Sequence, residues 1–298
     1  MRILLTGASG YVGRYVAARL WSSHEVLGTF LESDGLLPGC RQQRLDLRDP
    51  EAVRAAVSEY KPDLVIHAGA LANPDACERD PDLARAVNVE GTRAVARAAA
   101  ERGAWLFYIS TDLVFSGDFP PYREDATPSP LSVYARTKAE AEGLCRDLCP
   151  RTAVLRLSLG YGWKKPPGAF VDKLYQDLRA GKRVKLFQDQ FRSALFLEDA
   201  AEMIARLAEK PCADVFHSAG PERISRFRFG ILLCEEFGLD AGLVEPVHMA
   251  DVPGFAPRPA DCSLDGSKLW AFLGFNPRSV AEGLRAMREA GNGHRAAS

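Results

Sequence analysis

Tyr134 and Lys138 stand four residues apart in the stretch YARTK, just after a proline-rich segment. On a helix, residues at that spacing share a face, so a phenol and an ammonium would meet the same space. A neighbouring cation favours the phenolate and would hold the tyrosine as a stronger acid than its free pKa of ~10 allows. Such a phenol can give a proton to an oxygen on which negative charge develops. The same pair on an open surface would be idle, so other elements must decide. The stretch TGASGYVG sets Gly7, Gly10 and Gly13 three residues apart, directly after one apolar run and at the head of another. There Gly7 permits a tight turn, Gly10 lets the backbone approach a pyrophosphate, and Gly13 lets helix and strand pack closely. With Ser9, Tyr11, Val12 and Arg14 between and after them, the glycines read as a dinucleotide site.

The elements that must position these groups follow from the apolar pattern. RILLT, EVLGTF, QRLDL, DLVIHAGA, WLFYIS and TAVLRLS read as strands. Helical patterns in GYVGRYVAARLW, EAVRAAVSEY and residues 133–148 alternate with them, and DLARAVNVEGTRAVARAAAERG reads as one long helix ended by glycine. Strands that are continuously apolar, alternating with helices, predict an α/β doubly wound parallel sheet of Rossmann type. After YGWKKPPG the rhythm changes. Residues 1–163 are expected to form a dinucleotide-binding domain, and 164–298 mainly a smaller mixed substrate lobe with some segments returning to the first domain. Ser225 and Gly238 are expected to cap and stop a helix over SRFRFGILLCEEFG, and AGNGHRAAS reads as a frayed tail.

Composition excludes other classes. A formal net charge of -1 gives no general pull toward nucleic acid or membrane, and no apolar run reaches the ~18 residues of a membrane span. The opening MRILLTGASG is too short in its apolar run for a signal peptide, so the expectation is a cytoplasmic protein. The 7 cysteines are dispersed and read as reduced thiols, with no Cys/His cluster at zinc spacing. His67 ends an apolar run and reads as a core or pocket-wall residue. A cofactor without a 2′-phosphate usually meets an acid at the end of the second strand. Here Thr29 and Phe30 stand at that place and Glu32 comes later. Arg14 could reach a 2′-phosphate as a charge-assisted donor, so NADP(H) is favoured over NAD(H).

The order and spacing of TGASGYVG, LDLRD, HAGALANPDACE, AVNVEGT, ISTDLVFSGD, YARTK and RPADCSLDGSKL resemble an extended short-chain dehydrogenase/reductase. Among these, the dTDP-4-dehydrorhamnose reductase family is the branch most similar, over nearly the whole chain. The resemblance implies roles. Asp46 and Leu47 would border the adenine, and Ala68, Gly69 and Ala70 the pyrophosphate and adjoining ribose. Asn88 would prop the active site, Thr111 would hold the substrate carbonyl, and Tyr134 and Lys138 would be the acid and its partner, Lys138 also bonding the nicotinamide ribose. Asp112, Arg192 and Arg258 would meet a nucleotide-linked sugar, and the pair Lys164 and Lys165 stands as a further candidate for its diphosphate.

The implied reaction is NADPH-dependent reduction of a 4-keto-6-deoxy sugar nucleotide, with Tyr134 as proton donor and Thr111 as second donor to the same oxygen. No metal is expected, because the acids that hold one at the subunit contact of some relatives cannot be assigned. The family's packing of two long helices allows a homodimer. HAGALANP departs from the more usual NAAAYT type of stretch, and DQFRSALFLEDAA lacks a Gly-x-Pro-Thr between its DQ and Asp199. Two alternatives stand beside the reductase: an epimerase or dehydratase of the same superfamily, and a binding module like the regulatory subunit of methionine adenosyltransferase. Leu113, where dehydratases carry an acid, argues against dehydration.

Overall fold

The computed structural model describes residues 1–32, 40–163, 170–252 and 256–295, with side chains through residue 291. The chain alternates β1 (Arg2–Thr6), α1 (Tyr11–Leu20), β2 (Glu25–Phe30), β3 (Arg41–Arg44), α2 (Pro50–Tyr60) and β4 (Leu64–His67). It continues through the short helices α3 (Pro74–Arg79) and α4 (Pro81–Arg85), then α5 (Gly91–Arg102), β5 (Trp105–Thr111), α6 (Val133–Leu148) and β6 (Thr152–Leu157). The strands pair in parallel in the order β3-β2-β1-β4-β5-β6, and strand Val215–Ser218 adds the seventh beside β6. All four residues of β4 are buried, as expected where helices cover both faces of a sheet. One apolar core joins Val16 and Leu20 of α1 to Met203, Ile204 and Leu207 of helix Leu197–Glu209. A second joins Val53 and Val57 of α2 to Val95 and Ala99 of α5 and Cys145 of α6.

Strand order reverses between β1 and β4, whose last residues Thr6 and His67 lie side by side. The carboxyl ends of the strands part there into a crevice, the place where doubly wound sheets bind ligands. The small sheets are strand pairs: Gly160–Tyr161 with Leu195–Phe196, Phe191–Arg192 with Ile224–Ser225, and Val184–Phe187 with Val244–Val247. As expected, Ser225 caps helix Arg226–Phe237 by accepting from Arg228 N, and Gly238 ends it at φ 64°.

Three local expectations change. The third strand is Arg41–Arg44 rather than QRLDL. Leu45 N still bonds Phe30 O at 2.8 Å, but Asp46 then turns the chain by accepting from Arg48 N at 2.9 Å. The long helix from Asp82 is interrupted by a π-helical turn over Ala86–Glu90. The C-terminal helix runs Val280–Arg295, through the start of the expected tail, because it packs on helix Arg226–Phe237 and an Arg288–Glu236 ion pair of 3.0 Å ties the two. All seven cysteines are free thiols.

Candidate active site

The glycine turn is built by close contact. Gly7 has φ +67°, and a Cβ there would fall 2.7 Å from Gly69 Cα. A Cβ on Gly13 would fall 2.1 Å from the Gly7 carbonyl oxygen. Only hydrogen at both places lets α1 begin directly above the end of β1. Gly10 caps α1 with no side-chain bond, and the first turn carries no acid. The first amides of α1 are thus left for an anion from outside. This cradle fits a dinucleotide pyrophosphate.

In front of it lies a cavity of about 220 Å³ whose walls include Gly7, Ser9, Gly10, Asp46, Leu47, Ala68, Gly69 and Ala70. Thr29, Phe30 and the exposed Glu32 also line it. Arg48 grips the Asp46 carboxylate at 2.5–3.1 Å and holds it well below the usual carboxylate range, at about 2. Arg14 lines neither cavity; its Nε donates to Ser9 O at 2.7 Å. Tyr11 turns away too, its hydroxyl donating to Gly162 O at 2.7 Å.

Ala68 and Ala70 also line a second cavity of about 380 Å³, which holds Val12, Thr111, Asp112, Tyr134, Lys138, Arg192 and Arg258. Helix α6 delivers Tyr134 and Lys138. Ser132 caps it by accepting from Ala135 N at 3.2 Å, and Glu78 accepts from Val133 N at 2.7 Å. Tyr134 is half-buried, and Thr111 follows from the end of β5, where Leu113 N bonds its hydroxyl at 3.2 Å. Lys138 is 3% exposed, and its Nζ donates to Ile109 O at 2.7 Å.

The electrostatics differ from the sequence expectation. Burial pushes the Tyr134 phenol up, the Asp112 charge adds to this, and only its hydrogen bond with Thr111 works the other way. Lys138 is engaged with the Ile109 carbonyl, and burial prevails, so the phenol holds its proton more tightly than a free tyrosine. Burial in turn lowers Lys138 to about 8, with Cys145 and Glu142 opposing. At neutral pH the site therefore presents a protonated phenol beside an ammonium. Asp112 is buried, its carboxyl raised by desolvation against the pull of Arg192 at 3.5 Å.

Asn88 sits in the π-helical turn, a distortion common at functional sites. Its Oδ1 accepts from Leu71 N at 2.8 Å, and its Nδ2 donates to Leu71 O and Thr137 Oγ1, both at 3.1 Å. Thr137 Oγ1 donates to Tyr134 O at 2.8 Å. Asn88 therefore braces the backbone on both sides of the cleft. His67 continues the brace. Thr92 Oγ1 donates to Asn88 O at 2.7 Å, so it accepts from His67 Nε2 at 2.9 Å, and His67 Nδ1 accepts from Thr6 Oγ1 at 2.6 Å. These directions make His67 the neutral Nε2–H tautomer.

Arginines roof the larger cavity. Arg192 is a strut: its Nη2 donates to Pro259 O at 3.1 Å and its Nη1 to Phe191 O at 2.5 Å. Arg258 pairs with Asp75 at 3.0 Å. Lys164 and Lys165 lie outside the described residues. The sequence reading missed Arg226, which opens the helix that Ser225 caps. Its Nε donates to Gln190 at 3.1 Å, while its Nη1 is buried without a hydrogen-bond partner. Burial and then the Arg192 charge weaken its hold on its proton, a cost that an anion in the cavity would offset. Only its place after a helix cap in the second half could have marked it.

Also unforeseen is the pair beneath the cleft. Glu142 accepts from Ser110 Oγ at 2.5 Å and from Arg156 at 2.8–3.2 Å, with both side chains of the pair almost wholly buried. Among the described residues no group of three His, Cys, Asp or Glu could hold a metal ion, and no helix is long and apolar enough to cross a membrane.

Comparison with known proteins finds relatives over nearly the whole chain. The family model described as RmlD substrate binding domain matches residues 1–292. Methionine adenosyltransferase 2 subunit beta of Xenopus laevis is 33% identical over 282 residues, 90% of this chain and 81% of the relative. A probable low-salt glycan biosynthesis reductase of Haloferax volcanii is 32% identical over 295 residues, 97% of this chain and 98% of the relative. The solved dTDP-4-dehydrorhamnose reductase of Bacillus anthracis in complex with NADP superposes with a TM-score of 0.84 at 26% identity, over 97% of this chain and 99% of that one.

Proposed function

The chain belongs to the RmlD substrate-binding-domain family, and from that premise we propose that it is an NADPH-dependent reductase of a 4-keto-6-deoxy sugar nucleotide. One observation carries the reading. The cavity of Thr111, Tyr134 and Lys138 shares its Ala68 and Ala70 wall with the cavity in front of the glycine turn, and arginines line it.

The turn and the head of α1 would hold the pyrophosphate, and Lys138 the nicotinamide ribose. The dinucleotide, when bound, supplies the hydride. Tyr134, held protonated by burial, donates to the ketone oxygen and surrenders its proton as charge grows there, while Thr111 supports the same oxygen. Asn88 and His67 keep the two walls in register. Arg226 and Arg258 meet the diphosphate, and Asp112 and Arg192 fix the wall between it and the reacting carbon.

NADP(H) is the proposed cofactor because Thr29 and Phe30, not an acid, end β2, and because the Bacillus anthracis relative was solved with NADP. Glu32 at the cavity rim is the feature that would favour NAD(H). Titration of both cofactors against Arg14→Ala and Glu32→Gln separates the two.

The deciding experiment is NADPH oxidation over a panel of 4-keto-6-deoxy sugar nucleotides. Tyr134→Phe is expected to bind NADPH as before and to lose about 10²–10³ in kcat; near-normal turnover refutes the assignment. A second reading, a non-catalytic NADP-binding subunit, draws on the Xenopus laevis relative. Capture of a methionine adenosyltransferase catalytic subunit, with no ketone reduced, would favour it. Leu113 beside Asp112 cannot move a proton, which disfavours a dehydratase. An NAD that stays bound through purification would instead favour an epimerase.

A further inference from the structure

Lys138 carries its charge into a dry site. Besides the Ile109 carbonyl, the ammonium meets the face of Tyr108, whose ring centroid lies 4.1 Å from Nζ. Tyr108 is wholly buried, and its ring packs 5.7 Å from that of His67. Alternation along β5 sends Tyr108 and Ser110 to the α6 side of the sheet. The Tyr108 hydroxyl lacks a well-formed hydrogen bond; Thr92, already bonded to Asn88 O and His67 Nε2, is near enough to offer it a weak one, which slightly opposes the rise that burial gives its pKa. A hydroxyl so weakly held adds little to the site that a phenylalanine would lack. What the residue supplies at this position is a π face.

The other groups facing the ammonium do not replace it. Glu142 and Cys145 approach from α6, but the Glu142 carboxylate is gripped by Arg156 at 2.8 Å and by Ser110 at 2.5 Å. Cys145 is a buried thiol with its proton held more tightly than usual. His67, from β4, is neutral, and Tyr134, one turn earlier on α6, is a protonated phenol.

We propose that Tyr108 is a positioning residue whose ring face holds the Lys138 ammonium, charged, at the floor of the cleft. Its use in turnover rests on the reductase reading; the ring–ammonium contact does not. A negative ring face stabilises the cation and not the neutral amine, so removing it lowers the lysine's affinity for its proton.

The test is an NMR titration of the unliganded protein labelled with [¹³C]lysine, the Lys138 signal assigned by its loss in Lys138→Met. Tyr108→Phe is expected to titrate with the wild type. Tyr108→Leu, which keeps apolar bulk without a π face, is expected about one unit lower, a tenfold change in the proton equilibrium. Tyr108→Met carries the same test where the leucine variant does not fold. A Leu or Met variant titrating with the wild type overturns the proposal. So does a Phe variant displaced as far as they are, because the effect would then lie in the hydroxyl. In turnover, the alkaline limb of kcat is expected to move by the NMR shift while KM for the sugar nucleotide stays. A wild type that reduces no ketone defeats the reductase reading alone, and the NMR titration still decides the role of the ring.

Discussion

Replacing Glu142 tests how the site is held together. Its carboxylate joins three elements: α6, which carries it, β5 through Ser110, and β6 through Arg156. The Glu142 and Arg156 side chains are 6% and 5% exposed. Removing one partner of such a pair leaves the other charged in a dry place, at about 3–5 kcal/mol. In Glu142→Leu the guanidinium keeps only His217 Nε2 at 3.4 Å, the Glu124 carbonyl at 3.4 Å and the face of Phe115 at 5.0 Å. None of these is an anion, so the full range is expected. Against a folding free energy of about 5–15 kcal/mol this is a large fraction. At about 2–4 °C per kcal/mol, the melting point should fall by about 6–20 °C. The double variant Glu142→Leu/Arg156→Met removes both charges at similar volume and should recover most of the loss. Urea unfolding followed by tryptophan fluorescence gives all corners of the cycle. A single variant that loses less than about 1 kcal/mol, or a double variant as unstable as the single, refutes the account of the pair as a buried brace.

Three further outcomes are expected. Gly13→Ala should weaken NADPH binding at least about tenfold and cost about 1–3 kcal/mol, because its Cβ meets backbone at 2.1 Å and 2.8 Å that cannot yield; fluorescence titration and melting measure both. Arg226→Ala should raise KM for a sugar nucleotide about ten- to hundredfold and leave NADPH affinity alone, the size of one charge-assisted hydrogen bond; steady-state kinetics with each substrate varied in turn checks it. His67 and His217 are both 0% exposed, and burial first, then the charges of Lys138 and Arg156, lowers each to about 3. Between that value and the unfolded ~6.5, the unfolded chain binds protons that the folded chain refuses. Stability should therefore fall as pH drops below ~6.5, by about 1.4 kcal/mol per unit for each histidine; urea midpoints that stay level from pH 7 to pH 5 would contradict this.

The sequence by itself determined what depends on near neighbours along the chain. The glycines of TGASGYVG, the four-residue step from Tyr134 to Lys138, the Ser225 cap and the Gly238 stop are each set by local backbone geometry, and each could be read without a structure. So could the alternation that makes a parallel sheet covered on both faces. Only the tertiary structure decided what depends on burial and on residues distant in sequence. Proximity to Lys138 suggested an acidified Tyr134. Desolvation by walls drawn from several elements, with the Asp112 charge beside it, raises the phenol's pKa instead, while the ammonium is bonded to Ile109 O. The π-helical turn at Asn88, the Glu142–Arg156 brace and the unpaired Nη1 of Arg226 arise where segments far apart in the chain meet. No period or spacing records such meetings, since each partner taken alone is an ordinary polar residue on an ordinary helix or strand.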